Sequence, residues 1–414
     1  MKKVLIVSYY YPPLGGVGIV KVLGNTRYLP ELGWQTTVLC VRPDKDNRTS
    51  SLSGIPAAKR IFAARLRFTA LTIRVLAKLR LDARQGFLLP DNYIDWFLPA
   101  YRAGCSELRR QKYDMIYATV PPYTCGLVAA CLSHRSGLPL VVDIRDPWLD
   151  RTQPGREHRT RLHRRLDFAL ERYVVQRARK LTFIYQIGLD QYTRRYPDRA
   201  KDMVIVRPAF DFAREGCPRA SPLLGKVTLA YAGHVYPPYA ALRRLAQLLS
   251  GILKQGLNLT LGLWGCDDIP IARRIIETEG IADHVVWGKL LSLSEIFTIE
   301  RSVTANIILL DFKTVPTKLY ELLAAGRKII YLGPPVEEQR SLLARYSAHH
   351  LCLGHIGSEP TRADIHRLAR FLIKPDDPVI VAEKMKLVRD ELSAMAQTRK
   401  LAALFDEALP PGPS

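Results

Sequence analysis

Val4-Leu5-Ile6-Val7-Ser8-Tyr9-Tyr10-Tyr11-Pro12-Pro13-Leu14-Gly15-Gly16-Val17-Gly18 begins as a short, wholly apolar run, breaks at prolines and glycines, and leads into a helical pattern from about Ile19 to Leu32. A strand with no polar face must be buried on both faces, which is the condition of a parallel sheet covered by helices. Similar runs follow at Thr36 to Val41, Met115 to Thr119, Leu140 to Asp143, Leu181 to Ile184 and Val204 to Val206, with amphipathic stretches between them. The alternation predicts a doubly wound α/β domain over residues 1–210. Residues 211–226, turn-rich with Gly216, Pro218, Pro222 and Gly225, read as a linker. The same grammar restarts at Val227 to Ala232, Leu259 to Trp264, Val285 to Trp287, Asn306 to Leu310 and Lys328 to Leu332, predicting a second such domain over 227–380. Residues 381–414 are expected to be a helix over Val381 to Ala408 and a disordered tail at Pro410 to Pro413. The fold class is therefore α/β, two doubly wound parallel-sheet domains facing across a cleft. Ligands of such sheets bind at the carboxyl ends of the strands.

Composition agrees with this and excludes other classes. The 414 residues suffice for two domains, and 48% hydrophobic with 24% charged residues rule out wholesale disorder. The seven cysteines are odd in number and scattered, with no zinc-ligand spacing, so they read as reduced thiols. No charged segment followed by an apolar stretch and a small-residue cleavage site opens the chain, which speaks against secretion. Met115 to His134 is uncharged over about the length of a bilayer crossing, but Pro121 and Pro122 predict a strand, a turn and a helix there.

The net charge of +22 is uneven: residues 1–210 hold 36 basic and 17 acidic side chains, residues 211–414 hold 25 and 22. Such a field gathers anionic partners. Segment 57–84 reads as a basic amphipathic helix with Arg60, Arg67, Arg74 and Lys78 on one face, and 151–180 is a second basic block. An anionic membrane surface suits both, and an ordinary core-facing helix with a solvated charged face is the other reading of 57–84. Nucleic acid is not expected, because no stacking platform or recognition-helix pattern accompanies the charge.

Three motifs carry candidate chemistry. Gly15 and Gly16 would let a phosphate or sugar approach the backbone ahead of a helix or simply make a tight strand-to-helix turn, and the bulky insertion after the strand is not a dinucleotide fingerprint. Asp143, Arg145 and Asp146 alternate at a strand end, where they could hold hydroxyls and a phosphate or simply close the loop as an ion pair; Gly233 and His234 follow the first strand of the second domain. Pro316 and Thr317 start a helix in which Lys318 and Glu321 lie one turn apart, with Gly326 as its stop. A carboxylate there could accept a ribose's hydroxyls and a lysine could meet a diphosphate; a plain surface pair is the other reading.

As a set, Tyr-x-Pro-Pro-x-Gly-Gly, Asp143-Ile144-Arg145-Asp146-Pro147-Trp148, Arg207-Pro208-Ala209-Phe210-Asp211 and Lys318-Leu-Tyr-Glu-Leu-Leu-Ala-Ala-Gly326 resemble a family-4 glycosyltransferase of the GT-B fold over roughly residues 1–375. The resemblance implies transfer of a sugar from a nucleoside diphosphate sugar with retention of configuration, no tightly bound cofactor and no metal. It implies donor contacts from Gly15, Gly16, Gly233, Lys289, Thr317, Lys318 and Glu321, acceptor contacts from Gly15, Gly16, Asp143, Arg145 and Asp146, and catalytic roles for Asp143, Arg145, His234 and Lys318. The expected acceptor is a glycan, lipid-diphosphate-linked or of surface polysaccharide, and the expected location is the cytoplasmic face of the cell membrane. The chain departs from the family at Lys313, where a glutamate is usual, and lacks the usual Arg-plus-Lys clamp, for which Arg243, Arg244 or Lys313 could stand in. A catalytically inactive GT-B scaffold that binds a partner or lipid stays open beside the enzyme.

Overall fold

The computed structural model describes residues 1–14, 19–43, 58–66, 88–149, 160–211, 227–266, 269–289, 291–354 and 357–410. They form two compact units, Met1–Pro208 with Ala394–Ser414, and Ala209–Ser393.

The first unit is a parallel sheet of β1 (Lys2–Val7), β2 (Trp34–Val41), β3 (Lys59–Ala63), β4 (Met115–Val120), β5 (Leu140–Ile144), β6 (Lys180–Phe183) and β7 (Met203–Ile205), in the order β3-β2-β1-β4-β5-β6-β7. Its helices are α1 (Ile19–Tyr28), α2 (Phe97–Arg110), α3 (Tyr123–Ser136), α4 (Arg161–Arg177) and α5 (Gln186–Arg195). Along β1 the strand period is explicit: Leu5 and Val7 enter one apolar cluster, Val4 and Ile6 another, and all four are fully buried. Each such burial stabilises the fold by roughly 1.5–3 kcal/mol. The strand order reverses between β1 and β4, so the carboxyl ends of these two strands form the switch point of the sheet.

The uncharged span is a strand, Met115–Val120, and a helix, Tyr123–Ser136, separated by Pro121 and Pro122. Among the described residues no helix is long and apolar enough to cross a membrane. The helix expected over 57–84 is corrected at its start, where Lys59–Ala63 is an edge strand paired with β2. Having one neighbour only among the described residues, this strand exposes Lys59 and Arg60 without burying a charge. Residues 67–84 lie outside the described residues, as do 151–159, most of the linker and the tail beyond Pro410.

The second unit holds β8 (Val227–Ala232), β9 (Leu259–Trp264), β10 (Val285–Gly288), β11 (Ala305–Leu309), β12 (Lys328–Leu332) and β13 (His350–Leu353), all parallel in the order β10-β9-β8-β11-β12-β13. Around them pack α6 (Ala240–Lys254), α7 (Pro270–Thr278), α8 (Leu293–Ser302), α9 (Lys318–Ala325), α10 (Glu337–Tyr346), α11 (Arg362–Ile373) and α12 (Pro378–Leu392). Here the order reverses between β8 and β11.

The terminal stretch expected as one helix is two. The chain is extended at Ser393, and α13 (Ala394–Ala408) returns to the first unit. There Phe405 meets Trp34 and Tyr117 edge-on at 5.2 and 5.5 Å, and the Thr398 hydroxyl donates to Asn25 on α1 at 3.2 Å. The described cysteines carry no disulfide.

Candidate functional site

In the first unit the carboxyl ends of the strands carry a polar network and an aromatic wall. Lys21, on α1, is the lone charge in Ile19-Val20-Lys21-Val22-Leu23, and its Nζ donates to Asp143 Oδ1 at 2.6 Å and to the Val206 carbonyl at 2.8 Å. Thr182 and Thr119 add hydroxyls to the same carboxylate at 2.6 and 3.5 Å. Burial pushes the Lys21 ammonium to a lower pKa, and Asp143 opposes this. Asp143 is fully buried with these donors around it, so it fixes α1, β5 and β6 to one another rather than presenting an open carboxylate. Arg145 is half-buried and donates to the Pro121 carbonyl, while Asp146 accepts from the Tyr185 hydroxyl at 3.3 Å. Trp148, buried, donates to Asp167 on α4 at 2.7 Å and pins the loop.

Beyond β1, Tyr10 and Tyr93 share a hydrogen bond of 2.6 Å between their hydroxyls, and Tyr9 packs edge-on against Tyr93 and Trp96. Asp91 accepts from the Thr124 hydroxyl and amide at 2.7 and 3.1 Å, and burial raises its pKa against the pull of these bonds. Gly15 and Gly16 lie outside the described residues.

In the second unit β8 runs into Gly233, whose φ of 150° suits glycine and where a Cβ would sit 3.3 Å from the Tyr231 hydroxyl. That hydroxyl donates to the His234 carbonyl at 2.9 Å. His234 is exposed and its ring stands 4.8 Å from that of Tyr236. After β11, Asp311 accepts the Ala241 amide at 2.9 Å and also meets the amides of Ala240 and Tyr239, so it caps α6 from another strand. Burial raises its pKa and these donors lower it. An anion is thereby denied the α6 N-terminus.

The helix expected at Pro316 to Gly326 is present as α9, with Thr317 as its N-cap and Gly326 as its left-handed stop at φ 68°. Thr317 is exposed and Glu321 is half-buried in the first turn. Lys318 differs from expectation. Its ammonium lies 3.0 Å from Oε1 of Glu300, a fully buried carboxylate on α8. Burial raises the pKa of Glu300 and Lys318 pulls it down. An ammonium spent on a buried charge is not open to a diphosphate in the way the sequence suggested. Arg244 is likewise removed as a stand-in clamp, because it is buried and bound to Asp364 at 3.0 Å. Arg243, Lys289 and Lys313 are exposed. Gly288, at the end of β10 and next to Lys289, is covered by the Trp264 indole, whose Cδ1 would stand 2.2 Å from a Cβ there.

Sequence reading missed Lys21, Asp91, Glu300 and Asp311. Only Lys21 carried a visible signal, a solitary cation inside an apolar helical run. Among the described residues no group of three or more His, Cys, Asp or Glu is placed to hold a metal ion.

Residues 15–209 match the glycosyl transferase 4-like domain. No curated protein matches the sequence. Over the whole chain the fold resembles the sucrose-phosphate synthase of Thermosynechococcus elongatus, with a TM-score of 0.65 at 14% identity, covering 98% of this chain and 99% of that one. HepE of Anabaena, solved with UDP and glucose, gives 0.61 at 12% identity over 98% and 100%. The lipopolysaccharide outer core galactosyltransferase WaaB gives 0.60 at 14% identity over 98% and 100%. These identities show the fold, and the domain match supplies the activity. The family match thus lies in residues 15–209, a glycosyl transferase 4-like domain in the first unit, and with its two all-parallel α/β domains the chain is a glycosyltransferase of the GT-B fold.

Proposed function

We propose that the protein moves a glycosyl group from a UDP-sugar onto a glycan acceptor carried on a lipid diphosphate, with retention of configuration. The observation that carries the donor half is the placement of Thr317 at the N-cap and Glu321 in the first turn of the short helix that follows β11, the strand that forms the switch point with β8. Glu321 is assigned to the ribose hydroxyls and the exposed Thr317, with the first turn of α9, to the diphosphate as it departs. Gly233, His234 and Lys289 are assigned to the same donor, and Gly15, Gly16, Arg145 and Asp146 to the acceptor. Asp143 acts through Lys21 and the loop it holds. UDP is chosen because HepE was solved with UDP and with UDP-glucose.

Melting curves with UDP, GDP, dTDP, CDP and ADP test the donor. A ligand at ~100 times its dissociation constant adds about 2.7 kcal/mol, which raises the melting temperature by a few degrees. UDP is expected to stabilise the wild type and to lose that shift in Glu321→Ala. No shift with any nucleotide would favour a second reading, a GT-B scaffold without turnover, which the Lys318–Glu300 pair and the presence of Lys313 support.

The membrane half rests on α4. Leu162, Leu166 and Tyr173 form one stripe and are 66%, 48% and 39% exposed, beside exposed Arg161, Arg164, Arg165 and Arg172. We assign this helix, within the basic block 151–180, to the anionic inner face of the cell membrane, with segment 57–84 as its companion. The protein is expected to sediment with phosphatidylserine vesicles at about physiological salt, where the Debye length is ~8 Å. Arg161→Glu with Arg165→Glu should weaken this by well over tenfold, since each basic residue at such a surface contributes about 1 kcal/mol. Unchanged sedimentation of that variant would remove the assignment.

A further inference from the structure

We propose that Tyr236 and Phe312 form the seat for the sugar ring of the donor, an inference that rests on the nucleotide-sugar reading above. The two side chains follow β8 and β11, the neighbouring strands at the switch point of the second unit. They are 54% and 50% exposed, unusual for large aromatics on loops that are otherwise held firmly. The Tyr231 hydroxyl fixes His234, Tyr239 holds the left-handed conformation at φ 62°, and Asp311, next to Phe312, grips the amides at the start of α6. Behind the rings lies an apolar floor of Val235, Leu242 and Leu309, each buried. The rings are thus presented rather than loose.

Their geometry selects the occupant. Centroids 6.4 Å apart with planes at 72° make a corner, and His234 extends it edge-on from Tyr236. A nucleobase stacks along a single ring plane and leaves the second plane of a corner unused. A pyranose offers one face of C–H groups to a ring and a rim of hydroxyls, which the Tyr236 hydroxyl and the His234 imidazole can meet.

Titration calorimetry with UDP and UDP-glucose, and with GDP and GDP-mannose in parallel, tests this. Phe312→Ala and Tyr236→Ala are each expected to weaken the sugar nucleotide about tenfold, ~1.4 kcal/mol, while the free nucleotide changes less than about twofold. Phe312→Tyr should keep wild-type affinity. Retained nucleotide binding shows that each variant is folded. An equal loss for nucleotide and sugar nucleotide, or no loss, overturns the seat while the donor reading stands. A wild type that binds none of the four ligands overturns both.

Discussion

Lys21→Met is expected to cost the fold about 3–5 kcal/mol at neutral pH, the range for removing one partner of a buried ion pair. The lost ammonium leaves Asp143 fully buried with the hydroxyls of Thr182 and Thr119 and no countercharge from α1. Lys21→Met with Asp143→Asn removes both charges and should recover most of the loss, because the hydroxyl donors still find an oxygen. Urea midpoints of the two singles and the double read this directly, and simple additivity would show that the pair is not the unit of stability. The wild type has a slope of its own. Burial holds the Lys21 pKa below the usual 10.5, so below that pH the unfolded chain keeps this proton more firmly than the folded one. The contribution of this group to stability therefore rises with pH in that window, and the slope should vanish in Lys21→Met.

How much could be read beforehand follows from what each element depends on. Runs such as Val4 to Val7 and Val227 to Ala232 are apolar on both faces, and burial on both faces is a property of the run itself. The strands left unread, Lys59–Ala63 and His350–Leu353, are outer strands of their sheets, with one neighbour each and polar residues at solvent-facing positions. Their identity depends on a partner strand, which so short a run does not encode. The candidate site divides in the same way. The Pro316 to Gly326 helix was legible because its start, apolar face and glycine stop are local. The partner of Lys318, Glu300 on the preceding helix, was not, and neither was the meeting of Lys21 on α1 with Asp143 on β5. Both pairs are made by strand order.

Lys318→Met is the second large effect, and it separates the structural and the ligand roles of the residue the sequence singled out. Glu300 is 1% exposed, and among the described residues no hydrogen-bond donor meets its Oε2. Without Lys318 the carboxylate has neither cation nor hydroxyl, so a cost of about 3–5 kcal/mol is expected at neutral pH. Burial already raises the Glu300 pKa above the usual 4.5, and loss of the lysine raises it further. The folded variant therefore holds a proton that the unfolded chain has released, and its stability falls as the pH rises from about 4.5 through the folded pKa. The penalty should be small near pH 4.5 and full above that window. Glu300→Gln should be milder, since Lys318 is about a quarter exposed and its ammonium can turn to water. If Lys318→Met loses stability on this pH profile yet keeps the UDP-induced shift in melting temperature, the lysine acts by holding α8 to α9. If it stays stable but loses the shift, the lysine faces the diphosphate, and Glu300 must find its proton or its partner elsewhere.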